Sequence, residues 1–126
     1  MALAAAMLGL SAVGAAALGS HLIPLQEQSV ARLWNSALQM HLFHAAAMLG
    51  VIALAQRTFR VGMISAGLLL TFGTLLFSGS LYVRAAGYQW LPGWLAPLGG
   101  IMLCSGWFCL AAVLFRSVPP GKGRKP

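Results

Sequence analysis

Four long runs of the chain contain no Asp, Glu, Lys or Arg, and they indicate the class of protein. They cover residues 1–26, 33–56, 61–83 and 85–115. Each run exceeds the roughly 20 apolar residues that an α-helix needs to cross a ~30 Å hydrocarbon core. The ~10-residue alternating segments of a transmembrane β-barrel are absent from the sequence. The pattern therefore predicts an all-α, integral membrane four-helix bundle that forms one domain.

Proline, glycine and charged residues set the expected helix boundaries. Pro24 is expected to end the first helix, because proline lacks an amide donor and clashes with the preceding turn. Residues 117–126 are basic and rich in proline and glycine, which predicts a disordered tail. The transmembrane domain then covers residues 1–116. Its predicted helices are about 2–22, 37–56, 61–83 and 95–115.

Two segments carry a further helical periodicity. Small residues recur in the first helix at spacings of three and four, and such a stripe lets a neighbouring helix approach closely. The loop after that helix has apolar residues at helical spacing, which predicts a short interfacial helix before the second span. The stripe consists of Ala5, Gly9, Ala12, Ala16 and Gly19, and the loop residues are Val30, Leu33, Trp34 and Ala37.

The distribution of basic residues predicts the orientation of the bundle. With four spans, both termini and the loop between the second and third helices share one side of the membrane. That side carries Arg57, Arg60, Arg116, Lys122, Arg124 and Lys125, whereas the opposite side carries only Arg32 and Arg84. By the positive-inside rule both termini are cytoplasmic. The net charge of +7 therefore reflects membrane topology, and no nucleic-acid partner is predicted.

Polar side chains gather in the outer half of the predicted bundle. His41 and His44 lie three positions apart on the second helix, and His21 lies at the outer end of the first. A polar group at this depth is costly unless it faces the interior and finds a partner. We expect His44 to bond to hydroxyls of the third helix or to the backbone of the first, and His41 to reach water or the first loop. The third-helix hydroxyls on one face are those of Thr71, Thr74, Ser78 and Tyr82.

Three interpretations of this cluster are open at the level of sequence. The histidines and hydroxyls are structural ties between helices, which are individually modest in strength. Alternatively, His21, His41 and His44 form a metal or haem site, since imidazole binds many transition metals. In the third interpretation they form a pocket for a lipid, a quinone or another small amphiphile that enters from the outer leaflet.

Several catalytic chemistries are excluded by the residues themselves. Glu27 is the only acidic residue and falls in a loop, so paired-carboxylate catalysis within one chain is impossible. The serines lack a nearby His–Asp arrangement, and no glycine-rich phosphate loop is present. We therefore predict a protein that is not an enzyme and that requires no cofactor.

Four strings along the chain resemble the domain-of-unknown-function family 423. They are G-x-x-x-L-G-S-H at 14–21, F-H at 43–44, L-F-S-G-S-L-Y at 76–82, and P-L-G-G at 97–100 followed by G-W at 106–107. Members of that family are small bacterial inner-membrane proteins, with an animal relative called transmembrane protein 256. The resemblance extends from about Leu8 to Phe115, and the L-F-S-G-S-L-Y string and the paired glycines are its most specific parts.

The resemblance implies four helices in a bacterial inner membrane, but no activity. Family members carry histidines where His21 and His44 stand and serines where Ser78 and Ser80 stand. They commonly have Tyr-Gln where this chain has Met40-His41, so a three-histidine metal site is not implied as a family feature. Because glutamine and neutral histidine both donate and accept hydrogen bonds, the departure favours a hydrogen-bonding role for His41.

These observations predict a small, multi-pass inner-membrane protein that acts as a non-enzymatic accessory or small-ligand-binding protein. Its polar pocket is expected in the periplasmic half and comprises His21, His44, Ser78, Ser80 and Tyr82. The alternative is a metal- or haem-binding membrane protein that uses His21, His41 and His44. The lipid bilayer is its environment, and the small-residue stripe is compatible with a homo-oligomer or a larger membrane complex.

Overall fold

The protein folds into four α-helices within the residues that the computed structural model describes, which are 1–21, 27–56 and 60–117. Each helix is long and apolar enough to cross a membrane, which confirms the predicted all-α membrane fold. Pro24, Arg57 and residues 118–126 of the predicted tail lie outside the described residues. The helices are α1 (Ala2–His21), α2 (Gln28–Ala55), α3 (Arg60–Ala85) and α4 (Leu95–Ser117).

The second helix begins at Gln28, well before the boundary that was expected near Ala37. The segment predicted to be a separate interfacial helix is instead the first part of α2, because no proline or glycine interrupts it. With 28 residues, α2 is about 42 Å long and exceeds the ~30 Å hydrocarbon core. One continuous helix therefore holds both Trp34 and His41.

The helices pack in chain order around a centre made by α2 and α3. α4 lies along α3, and α1 lies along α2 with only slight contact to α3. All four helices contribute to the main apolar core, which includes Leu8, Met48, Leu70 and Leu110. A smaller cluster near the C-terminal ends of α1 and α3 is built around Trp34. The slight contact between α1 and α3 leaves a seam between these two helices.

Glycine permits the close packing of α3 on α4. A Cβ atom at Gly99 would overlap the backbone of Phe77. At Gly106 it would lie 2.9 Å from Leu70 Cδ2, and at Gly73 it would lie 2.9 Å from Leu103 Cδ2. Small residues at such crossings let helix backbones approach in lipid, where packing replaces the hydrophobic effect between helices.

The small-residue stripe of α1 faces α2, with two changes from the predicted set. Ala5, Ala12 and Gly19 are buried as expected, whereas Gly9 is half-buried and Ala16 is exposed. Leu8 and Ala15 are buried in their place. The buried positions alternate steps of three and four, which keeps them on one side of a helix with 3.6 residues per turn. A side chain at Gly19 would overlap the indole of Trp34, so this glycine allows α1 to cover that ring.

Candidate functional site

A cavity of about 480 Å³ lies in the seam between α1 and α3, and α2 contributes to its wall. Gly14 and Gly79 line it from opposite helices, and neither has an atom within 4 Å of where its Cβ would stand. The absence of two side chains therefore contributes to the open space. The polar lining residues are Ser11, Trp34, His41, Thr74, Ser78 and Tyr82.

The cavity opens to the outer surface of the helices. Leu18 of α1 and Leu75 of α3 line it and are 48% and 53% exposed. Because these leucines lie on helices that span the membrane, their exposed surfaces face lipid. The mouth of the cavity therefore faces the bilayer between α1 and α3.

His41 links α1 and α3 at the wall of this cavity. Its Nε2 lies 3.3 Å from Ser11 Oγ, and its Nδ1 lies 3.5 Å from the Tyr82 hydroxyl. The Ser11 hydroxyl donates to the Met7 carbonyl at 2.6 Å, so its oxygen is left to accept from His41. This network assigns the imidazole proton to Nε2 and makes Nδ1 the acceptor of the Tyr82 hydroxyl. At 3.5 Å the Tyr82 bond is long and weak.

His44 is held by different neighbours. Its Nδ1 lies 2.7 Å from the Met40 carbonyl, and its Nε2 accepts the indole N–H of Trp107 on α4 at 3.2 Å. The proton is therefore on Nδ1, and both nitrogens of a neutral imidazole have partners. Phe43 packs edge-on against the His44 ring, with centroids 5.2 Å apart. His44 therefore connects α2 to α4 by a hydrogen bond.

The hydrogen-bond partners of both histidines differ from those expected from the sequence. His44 bonds to its own helix and to α4, not to the third-helix hydroxyls or the first-helix backbone. His41 is only 6% exposed and contacts Ser11 and Tyr82, whereas water or the first loop was expected. The reason is the position of α2 in the bundle. A separation of three residues turns a side chain by about 60°, and from a central helix this angle reaches a different neighbour.

Two buried donors at this cavity have no hydrogen-bond partner among the described residues. They are the Ser78 hydroxyl and the Trp34 indole N–H, on side chains that are 1% and 5% exposed. Thr74 on the same helix behaves differently, because its hydroxyl donates to the Leu70 carbonyl at 2.7 Å. An unbonded hydroxyl in an apolar environment is costly. The Ser78 hydroxyl therefore needs a hydrogen-bond partner that the described residues do not supply.

The structure gathers only part of the predicted polar pocket. Ser78 and Tyr82 line the cavity. His44 faces Trp107, and the Ser80 hydroxyl donates to the Phe77 carbonyl at 2.9 Å. His21 is exposed at the end of α1.

Sequence reasoning missed two contributors to this cavity. Ser11 and Trp34 were not predicted as site residues, although Trp34 was recognised in the apolar pattern before the second span. Ser11 lies among residues that gave no signal apart from helical spacing. Its role follows from the packing of α1 against α2 and α3.

The geometry does not favour the metal alternative. Within the described parts of the chain, no group of three or more His, Cys, Asp or Glu side chains is placed to hold a metal ion. His21, His41 and His44 point to separate environments, and the nitrogens of His44 are already engaged.

Comparison with known proteins gives the same class of molecule. Residues 15–100 match the family described as "Protein of unknown function (DUF423)". The chain belongs to this family. DUF423 carries no description of an activity, and the matched residues include His41, His44, Ser78 and Tyr82. No solved structure matches the chain significantly.

Curated relatives of this DUF423 protein are membrane proteins. It is 33% identical to the UPF0382 inner membrane protein YgdD of Escherichia coli K12, over 82% of this chain and 79% of the relative. It is 32% identical to the UPF0382 membrane protein YwdK of Bacillus subtilis 168, over 80% and 84%. With the four spanning helices, these relatives establish an inner-membrane protein of unknown function.

Proposed function

We propose that this DUF423 protein binds a small amphiphile in the cavity between α1 and α3 and acts without catalysing a reaction. The observation that carries the proposal is the unpartnered hydroxyl of Ser78, a residue that is 1% exposed and lines a cavity of about 480 Å³. That volume lies within the roughly 300–1,000 Å³ of ordinary ligand pockets.

The lining indicates what kind of ligand fits. Apolar residues such as Ala15, Leu18 and Leu75 make almost all of the wall, and the unpartnered donors beside it are the Ser78 hydroxyl and the Trp34 indole N–H. A molecule that bonds to such groups and also replaces lipid contacts must be both polar and apolar. An amphiphile from the bilayer has this chemistry, and it enters past the exposed leucines without crossing water.

The predicted orientation places the cavity in the periplasmic half. Tyr82 lies three residues before the end of α3, about 5 Å from it, and Leu18 lies at a similar distance from the end of α1. Both ends belong to the side opposite the termini. If the termini are cytoplasmic, as the basic residues predict, the ligand comes from the outer leaflet.

Two glycine variants test whether the cavity is the binding site. Gly79→Leu places a side chain inside the cavity, whereas Gly50→Leu adds the same side chain at an exposed position on α2 that does not line it. Neither position has an atom within 4 Å of the new Cβ, so both variants are expected to fold.

The measurement is thermal unfolding of delipidated protein in detergent, with and without total lipid extract of the bacterial host membrane. A ligand that binds only the native state at 100 times its Kd adds about 2.7 kcal/mol of stability. We expect added lipid to raise the midpoint for wild type and Gly50→Leu but not for Gly79→Leu. No rise in wild type, or an equal rise in both variants, overturns the proposal.

A further inference from the structure

A second cavity, of about 350 Å³, continues the first along the seam between α1 and α3. Ser11 and Leu75 line both cavities, so the two spaces are neighbours separated by these residues. The second cavity extends toward the N-terminal end of α1. Its other lining residues are Ala4, Met7, Leu8 and Thr71.

Together the cavities form a groove that runs along the helices. Leu18 and Tyr82 line the first cavity, and Ala4 and Thr71 line the second, so the groove advances in the same direction on both helices. The distance from Ala4 to Leu18 along α1 is about 21 Å at 1.5 Å per residue. One leaflet contributes about 15 Å of a ~30 Å hydrocarbon core, so the groove is long enough for a chain that spans one leaflet.

Both cavities have almost wholly apolar walls, and they differ in the hydrogen-bonding groups that lie behind those walls. His41, Ser78 and Tyr82 all line the first cavity. In the second, the only hydroxyls belong to Ser11 and Thr71, and both already donate to carbonyls of their own helices, at 2.6 and 2.7 Å. Free hydrogen-bonding capacity is therefore confined to the end where the unpartnered Ser78 lies.

We propose that this seam holds one acyl chain of a phospholipid, with its ester carbonyl accepting a hydrogen bond from the Ser78 hydroxyl. The hydrocarbon then follows α1 into the second cavity. The proposal rests on the function proposed above and narrows its ligand to a chemical class. An ester carbonyl only accepts hydrogen bonds, which suits a site whose unpartnered groups, Ser78 and the Trp34 indole, are donors.

The depth of Ser78 agrees with this assignment. α3 has 26 residues and is about 39 Å long, so it extends a few ångströms beyond each face of a ~30 Å core. Ser78 lies seven residues before its last residue, Ala85, which places the hydroxyl about one helical turn below the boundary of the hydrocarbon. Ester groups of phospholipids lie near that boundary, so an ester that bonds to Ser78 is drawn about one helical turn into the seam.

The test uses the full-length protein in lipid nanodiscs that contain phosphatidylglycerol with a diazirine at the end of one acyl chain. After irradiation, the crosslinked residues are mapped by mass spectrometry. Leu8 lines the second cavity and is 3% exposed, whereas Leu3 and Leu10 are 74% and 67% exposed and line neither cavity. We expect crosslinks at Leu8 in addition to those at the two exposed leucines.

Ser78→Ala isolates the hydrogen bond. The variant removes a hydroxyl that has no partner among the described residues, so the fold should be retained. We expect crosslinking at Leu8 to fall at least three-fold, while crosslinking at Leu3 and Leu10 stays unchanged. The acyl-chain assignment is overturned if crosslinks are confined to the exposed leucines, or if crosslinking at Leu8 is the same in Ser78→Ala as in wild type.

The two proposals fail in distinguishable ways. If lipid extract stabilises wild type but not Gly79→Leu, and yet Leu8 is not crosslinked, the cavity binds an amphiphile and only the acyl-chain assignment is wrong. Recovery of a quinone as the stabilising component has the same meaning. If lipid extract stabilises neither protein, amphiphile binding itself is wrong, and the acyl-chain assignment fails with it.

Discussion

His41 and His44 stand three residues apart on α2, and their imidazole protons are assigned to opposite nitrogens. His44 carries its proton on Nδ1, which donates to the Met40 carbonyl, and accepts from Trp107 at Nε2. His41 donates from Nε2 to Ser11 and accepts from Tyr82 at Nδ1. In lipid each buried polar group needs an internal partner, and both neutral rings meet this need. The His44 ring packs between α2 and α4, and the His41 ring lines the cavity.

The bond between His44 and Trp107 predicts an energetic coupling between α2 and α4. We expect His44→Leu and Trp107→Phe each to lower the free energy of unfolding in detergent. In a double-mutant cycle their coupling should be about 0.6 kcal/mol, the average for hydrogen bonds between membrane helices, and at most about 1.7 kcal/mol. His21→Ala is the control, because His21 is exposed and should leave stability unchanged. A coupling of zero would show that the bond does not contribute to stability.

At the scale of the element, the four helices could be predicted from hydrophobicity and small-residue spacing. Which residues line the cavity depends instead on which helices are adjacent. The charge-free runs predicted every span, since lipid leaves the backbone no alternative to a helix. Ser78 and Tyr82 were recognisable because helical spacing places their hydroxyls on one face of the third span. That Ser11 faces His41, while Ser80 bonds to its own helix, depends on which helices are adjacent. One sequence does not encode that adjacency in any periodic pattern.

Gly99 tests the packing of α3 on α4. We expect Gly99→Ala to lower the free energy of unfolding by about 1–3 kcal/mol, because the new methyl group overlaps the Phe77 backbone and the helices must separate. Gly9→Ala on α1 is the matched control, since nothing lies within 4 Å of its Cβ position. Equal stability of the two variants, measured by unfolding in the same detergent, would contradict the close approach.

For the whole molecule, the charge pattern predicts an orientation that the fold alone leaves open. A reporter enzyme that is active only in the periplasm should be silent when fused to the C-terminus, because six basic residues on that side favour the cytoplasm. The same reporter inserted in the loop near Tyr88, between α3 and α4, should be active. The reverse result would place the cavity in the cytoplasmic half and its ligand in the inner leaflet.

At this scale the central claim is that the seam between α1 and α3 holds an amphiphile, and native mass spectrometry from mild detergent tests it most directly. Wild type, Gly50→Leu and Gly79→Leu are released from the same membranes and compared for retained mass. We predict a bound mass in the lipid range on wild type and Gly50→Leu that is lost from Gly79→Leu. Bare protein in all three samples, or the same bound mass in all three, would contradict the account.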